Sequence, residues 1–316
     1  MNHNQAVYGV DVSKAKLVIG CYDGLALIEV DNQVETITAW LAGLPKGTVV
    51  AMEATGIYHR LLAQLAHATG LAVFVLNPQL LKHYAVAIGQ RGKTDPCDAR
   101  MIARYVVHEY AKLRPWHPPA AAADRLSQLL ERRHTVVVAR QTLAQSLSGL
   151  SVLTRLRASV LASLDRTLGR LEVLIRGEIA RLPGMAALHE RLMSIVGVGP
   201  VVATQLVAAF STLSFVRSDS FIAYTGLDPR PADSGARRGR RRLSKHGPPL
   251  LRCQLYNAGR AAASSKLFKP VYQKLLERGL QTTEALVILA RKIARIAFAL
   301  YKSGEVFDAQ KHFKIT

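Results

Sequence analysis

Ala6-Val7-Tyr8-Gly9-Val10-Asp11-Val12, Lys16-Leu17-Val18-Ile19-Gly20-Cys21-Tyr22-Asp23 and Leu25-Ala26-Leu27-Ile28-Glu29-Val30-Asp31 are three short apolar runs near the start of the chain. They predict three strands joined by tight turns, an antiparallel meander. Outward from there, Asn32 is placed to cap a helix, with Glu35 three residues on as its reciprocal partner. Ile37, Trp40, Leu41 and Leu44 give that helix an apolar face, and Pro45 and Gly47 end it. Residues 48–52 read as a buried strand, 58–69 as a helix, and 71–76 as a strand closed by Asn77-Pro78. Helices follow at about 79–88 and 96–111. The order β-β-β-α-β-α-β-α predicts a mixed sheet with helices on its faces.

Pro115, Pro118 and Pro119 break the chain after this α/β region. A long helical stretch follows, about 121–182, with leucines at helical spacing in two arms, Leu126 to Leu150 and Leu161 to Leu182. It predicts an antiparallel helical hairpin with a coiled-coil-like seam. Pro183-Gly184 opens a mainly α-helical remainder, in which Gly197-Val198-Gly199-Pro200 resembles the turn of a helix-hairpin-helix or of a plain αα-hairpin. The expected domains are therefore 1–115, 116–184 and 185–316.

Charge divides along the same line. Of 42 Lys and Arg and 22 Asp and Glu, residues 1–110 hold nine of each, so the whole formal +20 lies beyond them. A segregated cationic surface suggests a polyanion held by one part and chemistry placed on another. Three scattered cysteines exclude a disulfide framework and a Cys-rich zinc module, and they fit a reducing, intracellular compartment. Met1 to Gln5 lacks the basic-then-apolar run of a secretory signal. Ile195 to Val216 is free of charge but is interrupted by Gly197, Gly199 and Pro200, so no membrane span is expected.

Asp11 lies within an apolar strand and Glu53 at the end of another. Carboxylates in such settings are costly unless they pair with cations, here Lys14, Lys16 or an Arg, or coordinate a metal. In Lys93-Thr94-Asp95-Pro96-Cys97-Asp98-Ala99-Arg100, Pro96 suits a first helical position, so Asp95 and Asp98 also read as a capping pair. Capping does not preclude metal binding. Four carboxylates from two strands and one helix start form a hard oxygen site suited to Mg²⁺ or Mn²⁺, of the kind that supports phosphodiester cleavage. Among folds with this element order, the ribonuclease-H-like (RuvC-like) nuclease fold is the leading candidate; order alone does not decide it.

Tyr8-Gly9-Val10-Asp11-Val12-Ser13-Lys14, Met52-Glu53-Ala54-Thr55-Gly56 and Lys93-Thr94-Asp95-Pro96-Cys97-Asp98-Ala99 together resemble the DEDD transposases of bacterial insertion sequences. This is the insertion-sequence family "one-ten", which also includes a pilin-gene invertase. The resemblance implies that Asp11, Glu53, Asp95 and Asp98 are the metal-binding catalytic acids. It further implies that Ser234, in Asp233-Ser234-Gly235, attacks the scissile phosphate and forms a covalent phosphoserine link to DNA. Asp233 and Ala236 depart from the family's usual polar surroundings, and Ser244, between Arg242 and Lys245, is the rival nucleophile. By residue type alone, Ser234 is a turn serine beside Gly235. Arg237, Arg238, Arg240, Arg241, Arg242 and Lys245 place six cations in nine residues, with Arg252 beyond; they read as phosphate-backbone contacts or as a solvated charge run.

The family implies donor and target DNA, a structured bridge RNA, and a dimer or tetramer in which acids of one protomer meet the serine of another. It also implies a bacterial, cytoplasmic, nucleoid-associated setting. Two other functions fit the residues: a junction-cutting nuclease of the same fold using metal-activated water, and a non-catalytic nucleic-acid-binding protein.

Overall fold

The computed structural model describes residues 5–24, 26–89, 95–230 and 242–312, with the side chains of 95–97 and 312 outside the description. It divides between Pro118 and Pro119 into two compact units.

The first unit is built on five strands: β1 (Val7–Val12), β2 (Lys16–Cys21), β3 (Leu27–Asp31), β4 (Val49–Glu53) and β5 (Ala72–Leu76), in the order β3-β2-β1-β4-β5. β2 runs antiparallel to both β1 and β3, whereas β1, β4 and β5 are parallel. Only β2 is reversed. The alternation of the sequence decides what each face meets. Val10, Val12, Val50 and Met52 share a core with Ile37 and Leu41 of α1 (Val34–Ala42) and with Leu62, Ala63 and Ala66 of α2 (His59–Ala68). Val7, Val49 and Ala51 point the other way, to a core with Leu81 of α3 (Pro78–Ala87) and with Ile102, Ala103 and Val106 of α4 (Asp95–Glu109). The inner parallel strand β4 is apolar up to Glu53 and β5 is apolar throughout; β3, at the sheet edge, is mostly exposed.

α4 sits unusually close to the sheet. A Cβ on Gly9 would lie 2.0 Å from the Ala99 carbonyl oxygen and 2.5 Å from the Ala103 nitrogen, and one on Gly20 would lie 3.0 Å from Arg100 Cγ. Glycine in β1 and alanine in α4 are thus one contact seen from two sides.

Asn32 does not cap α1. Gln33 occupies that position and makes no side-chain cap, while the Asn32 amide is engaged elsewhere.

The second unit opens with α5 (Ala121–Ser146) and α6 (Thr154–Ala180). Ion pairs Arg125–Glu178, Arg133–Glu172 and Arg140–Asp165 climb one helix as they descend the other, so the pair is antiparallel. Apolar burial is confined to its base, where Ala123, Leu126, Leu130, Ile175 and Ile179 join the core of the later helices. Leu150 and Leu156, further out, are 62% and 54% exposed. The helical pair therefore shares its core with the region after residue 184, within the unit that begins at Pro119. A two-helix pair has no third layer to bury its outer seam; its base does.

α7 (Met185–Met193), α8 (Pro200–Thr212), α9 (Ser218–Thr225), α10 (Pro249–Ala263), α11 (Lys269–Glu277) and α12 (Thr282–Ser303) follow. A two-residue ribbon, β6 (Pro229–Arg230) with β7 (Arg242–Leu243), lies between α9 and α10, and α13 (Ala309–His312) closes the described chain. α12 is the centre of this unit, burying Leu286, Leu289, Ile293, Ile296, Ala297 and Leu300 among others. Its start carries the reciprocal Gln281–Glu284 cap, and it ends at Gly304 in the left-handed conformation (φ 73°). Gly197 (φ 90°) seats the turn before α8 against α10, where a Cβ would lie 2.5 Å from the Ala258 oxygen. Among the described residues, no helix is long and apolar enough to cross a membrane.

Two glycines make opposite predictions. Gly9→Ala should destabilise the first unit by about 2 kcal/mol or more, as overpacking against helix backbone does. Gly169→Ala, at an exposed position of α6 with nothing near its Cβ, should stabilise by about 0.5–1 kcal/mol. Urea unfolding of each variant measures both; an unchanged Gly9→Ala midpoint would show that α4 does not rest on β1.

Candidate active site

Strand periodicity places the acids. Asp11 stands two residues beyond Gly9, so it shares the face on which α4 rests. β1 and β4 pair in parallel with Gly9 opposite Ala51 and Val10 opposite Met52, so Glu53, two residues beyond Ala51, lies on that face as well. Asp98 immediately precedes Ala99, the residue seated on Gly9. Asp11, Glu53 and Asp98 are thus brought to one face at one end of the sheet, each partly exposed and each already engaged with a neighbour. α4 begins at Asp95, one helical turn before Asp98; the Asp95 side chain lies outside the described residues. Among the described residues, no three His, Cys, Asp or Glu side chains converge tightly enough to hold a metal ion. Carboxylate oxygens are the donor type preferred by hard divalent cations.

Asn32 braces this end of the sheet. Its Nδ2 donates to the Ser13 carbonyl at 2.9 Å and to the Tyr58 carbonyl at 3.2 Å, and its backbone N–H donates to Ala15 at 2.8 Å. Ser13 follows Asp11 by two residues, and Tyr58 ends the turn that follows Glu53. One amide therefore ties together the chain segments leaving both acid-bearing strands. Ser13 tightens the first of them by accepting the Lys16 N–H at 2.9 Å and donating to the Lys16 carbonyl at 2.8 Å. In the second, Thr55 N–H donates to Glu53 and Tyr58 N–H to Thr55, with Gly56 at φ 50°. Burial pushes the imidazole of His59, at the start of α2, below its ordinary value. The sequence pattern did not reveal Asn32: a Glu three residues on points to a cap, whereas the carbonyls it serves lie 19 and 26 residues away.

In the second unit, Ser244 is 9% exposed and donates its hydroxyl to Asp228 Oδ1, while its N–H donates to the Asp228 carbonyl at 2.9 Å. Arg242 pairs with Arg230 across the ribbon, exposed, and Lys245 is exposed beside it. Arg252 turns inward, donating from one terminal nitrogen to the Thr225 and Gly247 carbonyls at 3.3 and 3.0 Å; burial pushes its pKa down. Ser234, Arg237, Arg238, Arg240 and Arg241 lie outside the described residues.

Comparison with known proteins shows which class carries this acid-bearing mixed sheet and basic helical unit: the transposases. A family model described as transposase matches residues 8–156, a span containing Asp11, Glu53 and Asp98. A second, described as transposase of the IS116/IS110/IS902 family, matches residues 189–273, which contain Asp228, Ser244 and Arg252. The chain is 27% identical over 271 residues to the pilin gene-inverting protein of Moraxella bovis, covering 83% of this chain and 82% of that protein. The pilin gene-inverting protein of Moraxella lacunata matches with the same identity and coverage. The chain belongs to the IS110 family of transposases.

Asn32→Ala removes two hydrogen bonds and should cost about 1–2 kcal/mol of stability. Asn32→Asp should cost more, since it turns a carboxylate toward two carbonyls. Hydrogen exchange should then show faster exchange at residues 13–16 and 54–58 than elsewhere in the sheet; uniform exchange would mean that Asn32 braces neither segment.

Proposed function

We propose that this transposase cuts and rejoins DNA for the movement of an insertion sequence, with its sheet unit supplying acids and its helical unit a serine. The reading is supported by position: Asp11 and Glu53 fall on the sheet face against which α4 rests, and Asp98 precedes Ala99, the residue seated on Gly9. Asp11, Glu53 and Asp98, with Asp95, would hold Mg²⁺ or Mn²⁺. Such an ion, when bound, stabilises negative charge developing on phosphodiester oxygens. The strand order β3-β2-β1-β4-β5 with β2 alone reversed supports reading the unit as ribonuclease-H-like (RuvC-like).

In this reading Ser234 Oγ forms a bond to phosphorus as the bond to a deoxyribose oxygen breaks. The serine proton passes to a base, and the departing oxygen takes one up. The phosphodiester is conserved as a phosphoserine ester for rejoining. The engagement of the Ser244 hydroxyl by Asp228, together with its burial, favours Ser234 over Ser244. Arg237, Arg238, Arg240, Arg241, Arg242 and Lys245 would neutralise the DNA backbone, giving affinity that falls steeply with salt. A structured bridge RNA as guide, a dimer or tetramer with sites composed between protomers, and a coiled-coil contact through α5 and α6 complete the proposal. The family resemblance supports these last features, and so does the cationic excess beyond residue 110.

Incubating the protein with Mg²⁺ and a nicked DNA substrate that loses one cleavage product should trap a covalent adduct mapping to Ser234. Ser234→Ala should abolish the adduct, and Asp11→Asn should abolish all cleavage. If Ser234→Ala still cleaves without an adduct, the protein is a nuclease using activated water. No cleavage by the wild type, with DNA binding retained, would make it a binding protein only.

A further inference from the structure

We propose that Asp228 and Ser244 are positioning residues that fix the base of the β6–β7 ribbon, from which the segment bearing Ser234 departs at Arg230 and to which it returns at Arg242. The proposal rests on the reading of Ser234 as nucleophile and deepens it.

The ribbon has only two residues in each strand, Pro229 opposite Leu243 and Arg230 opposite Arg242. Pro229 has no N–H to give, and so short a ladder is marginal unless something else holds it. The holding groups lie just behind it. Ser244 grips Asp228 twice, through its N–H to the Asp228 carbonyl at 2.9 Å and through its hydroxyl to Asp228 Oδ1. The next residue, Lys245, donates its N–H to Gly226 at 3.1 Å and takes a left-handed backbone (φ 55°), the one non-glycine residue to do so among those described. Gly226 (φ 69°) is hemmed in: a Cβ there would lie 2.8 Å from the Arg252 guanidinium and 2.9 Å from Lys245 Cα. Gly247 lies flat on α9, with a Cβ position only 1.6 Å from the Tyr224 oxygen. Arg252, by donating to both Thr225 and Gly247, ties the chain entering the ribbon to the chain leaving it. Leu227, fully buried, anchors the entering side, and its N–H donates to Thr225 Oγ1 at 3.2 Å.

Every element of this base is fixed to α9 or α10, and the Asp228–Ser244 hydrogen bond is the side-chain link nearest the ribbon. It also removes Ser244 from phosphate chemistry. A nucleophile has to reach phosphorus, and this hydroxyl is buried and donated to a carboxylate. The alternative for the same pair is that Asp228 is a base activating Ser244.

The test uses the full-length protein, Mg²⁺ and the same nicked DNA, reading the single-turnover rate of adduct formation, the adducted residue and the DNA dissociation constant. Ser244→Ala and Asp228→Ala should each slow adduct formation by about 10- to 100-fold, the scale on which misplaced reactants lose rate. The adduct should remain on Ser234, with DNA affinity changed by less than about two-fold. The double variant should be no slower than either single, because the two act through one bond. Asp228→Asn keeps an acceptor for the hydroxyl and should restore most of the rate lost with alanine. Asp228 is partly exposed, so Asp228→Ala carries the same test if Ser244→Ala fails to fold. Unchanged rates in both alanine variants overturn the positioning role. An adduct on Ser244 overturns it in favour of a Ser244 nucleophile with an Asp228 base, and Asp228→Asn as slow as Asp228→Ala overturns it by showing that the hydrogen bond from Ser244 is not what the rate depends on. If the wild type forms no serine adduct at all, the nucleophile reading itself falls, and the positioning role falls with it.

Discussion

The close seating of α4 on β1 is the constraint on which the sheet unit of this molecule depends. A helix can approach a strand until its backbone meets the strand's backbone only where neither side interposes a side chain, and Gly9 against Ala99 and Ala103 is such a place. The contact fixes both the height of the helix and its rotation. Ala99 and Ala103 are four residues apart and therefore share a helix face. With that face held against the strand, Asp98 has no freedom to move around the helix axis, and Asp11 has none to leave the strand face of Gly9. Gathering acids in this way is unfavourable by charge repulsion, so the packing must supply what the electrostatics oppose. The apolar cluster beneath, Val7, Ala51, Ile102, Ala103 and Val106, is the source of that compensation.

The opposite side of the sheet end is held by hydrogen bonds. Asn32 reaches two carbonyls that belong to different turns. The packing of α4 and the Asn32 donor clamp both hold the chain where β1 and β4 end. Catalytic groups usually sit on loops positioned by rigid elements. Here the loops themselves are drawn into the rigid part.

Much of this was legible in the sequence, and the failures have identifiable causes. The strands were readable because two parallel strands covered on both faces must be apolar throughout, and Val49 to Met52 and Ala72 to Leu76 are. Asn32 was misread because local spacing offers it a cap, and long-range carbonyls outcompete that cap. Leucine spacing points to helix over about 121–182, where α5 and α6 lie, but it does not say what the helices pack against. Periodicity shows that a face is apolar without saying what covers it, and Leu126 and Ile179 are covered by the helices that follow. Ser244 lies between Arg242 and Lys245, and nothing local says that its hydroxyl faces Asp228, 16 residues earlier, rather than solvent.

The two halves solve one electrostatic problem in opposite ways. The sheet unit concentrates acids and balances them, with nine cations against nine anions over residues 1–110. The helical unit carries the excess of cations and spends some of them internally. Arg252 donates to backbone carbonyls, and Arg125, Arg133 and Arg140 each hold a carboxylate across the helical pair. These arginines are structural as the chain stands, so the formal charge overstates what is free to meet a polyanion. The exposed cations at the ribbon, Arg230, Arg242 and Lys245, stand on a base whose polar groups are satisfied within the protein. A cation on a fixed base meets phosphate with less ordering cost than one on a free chain. The +20 therefore matters less as a total than as a small set of charges whose positions the fold has already settled.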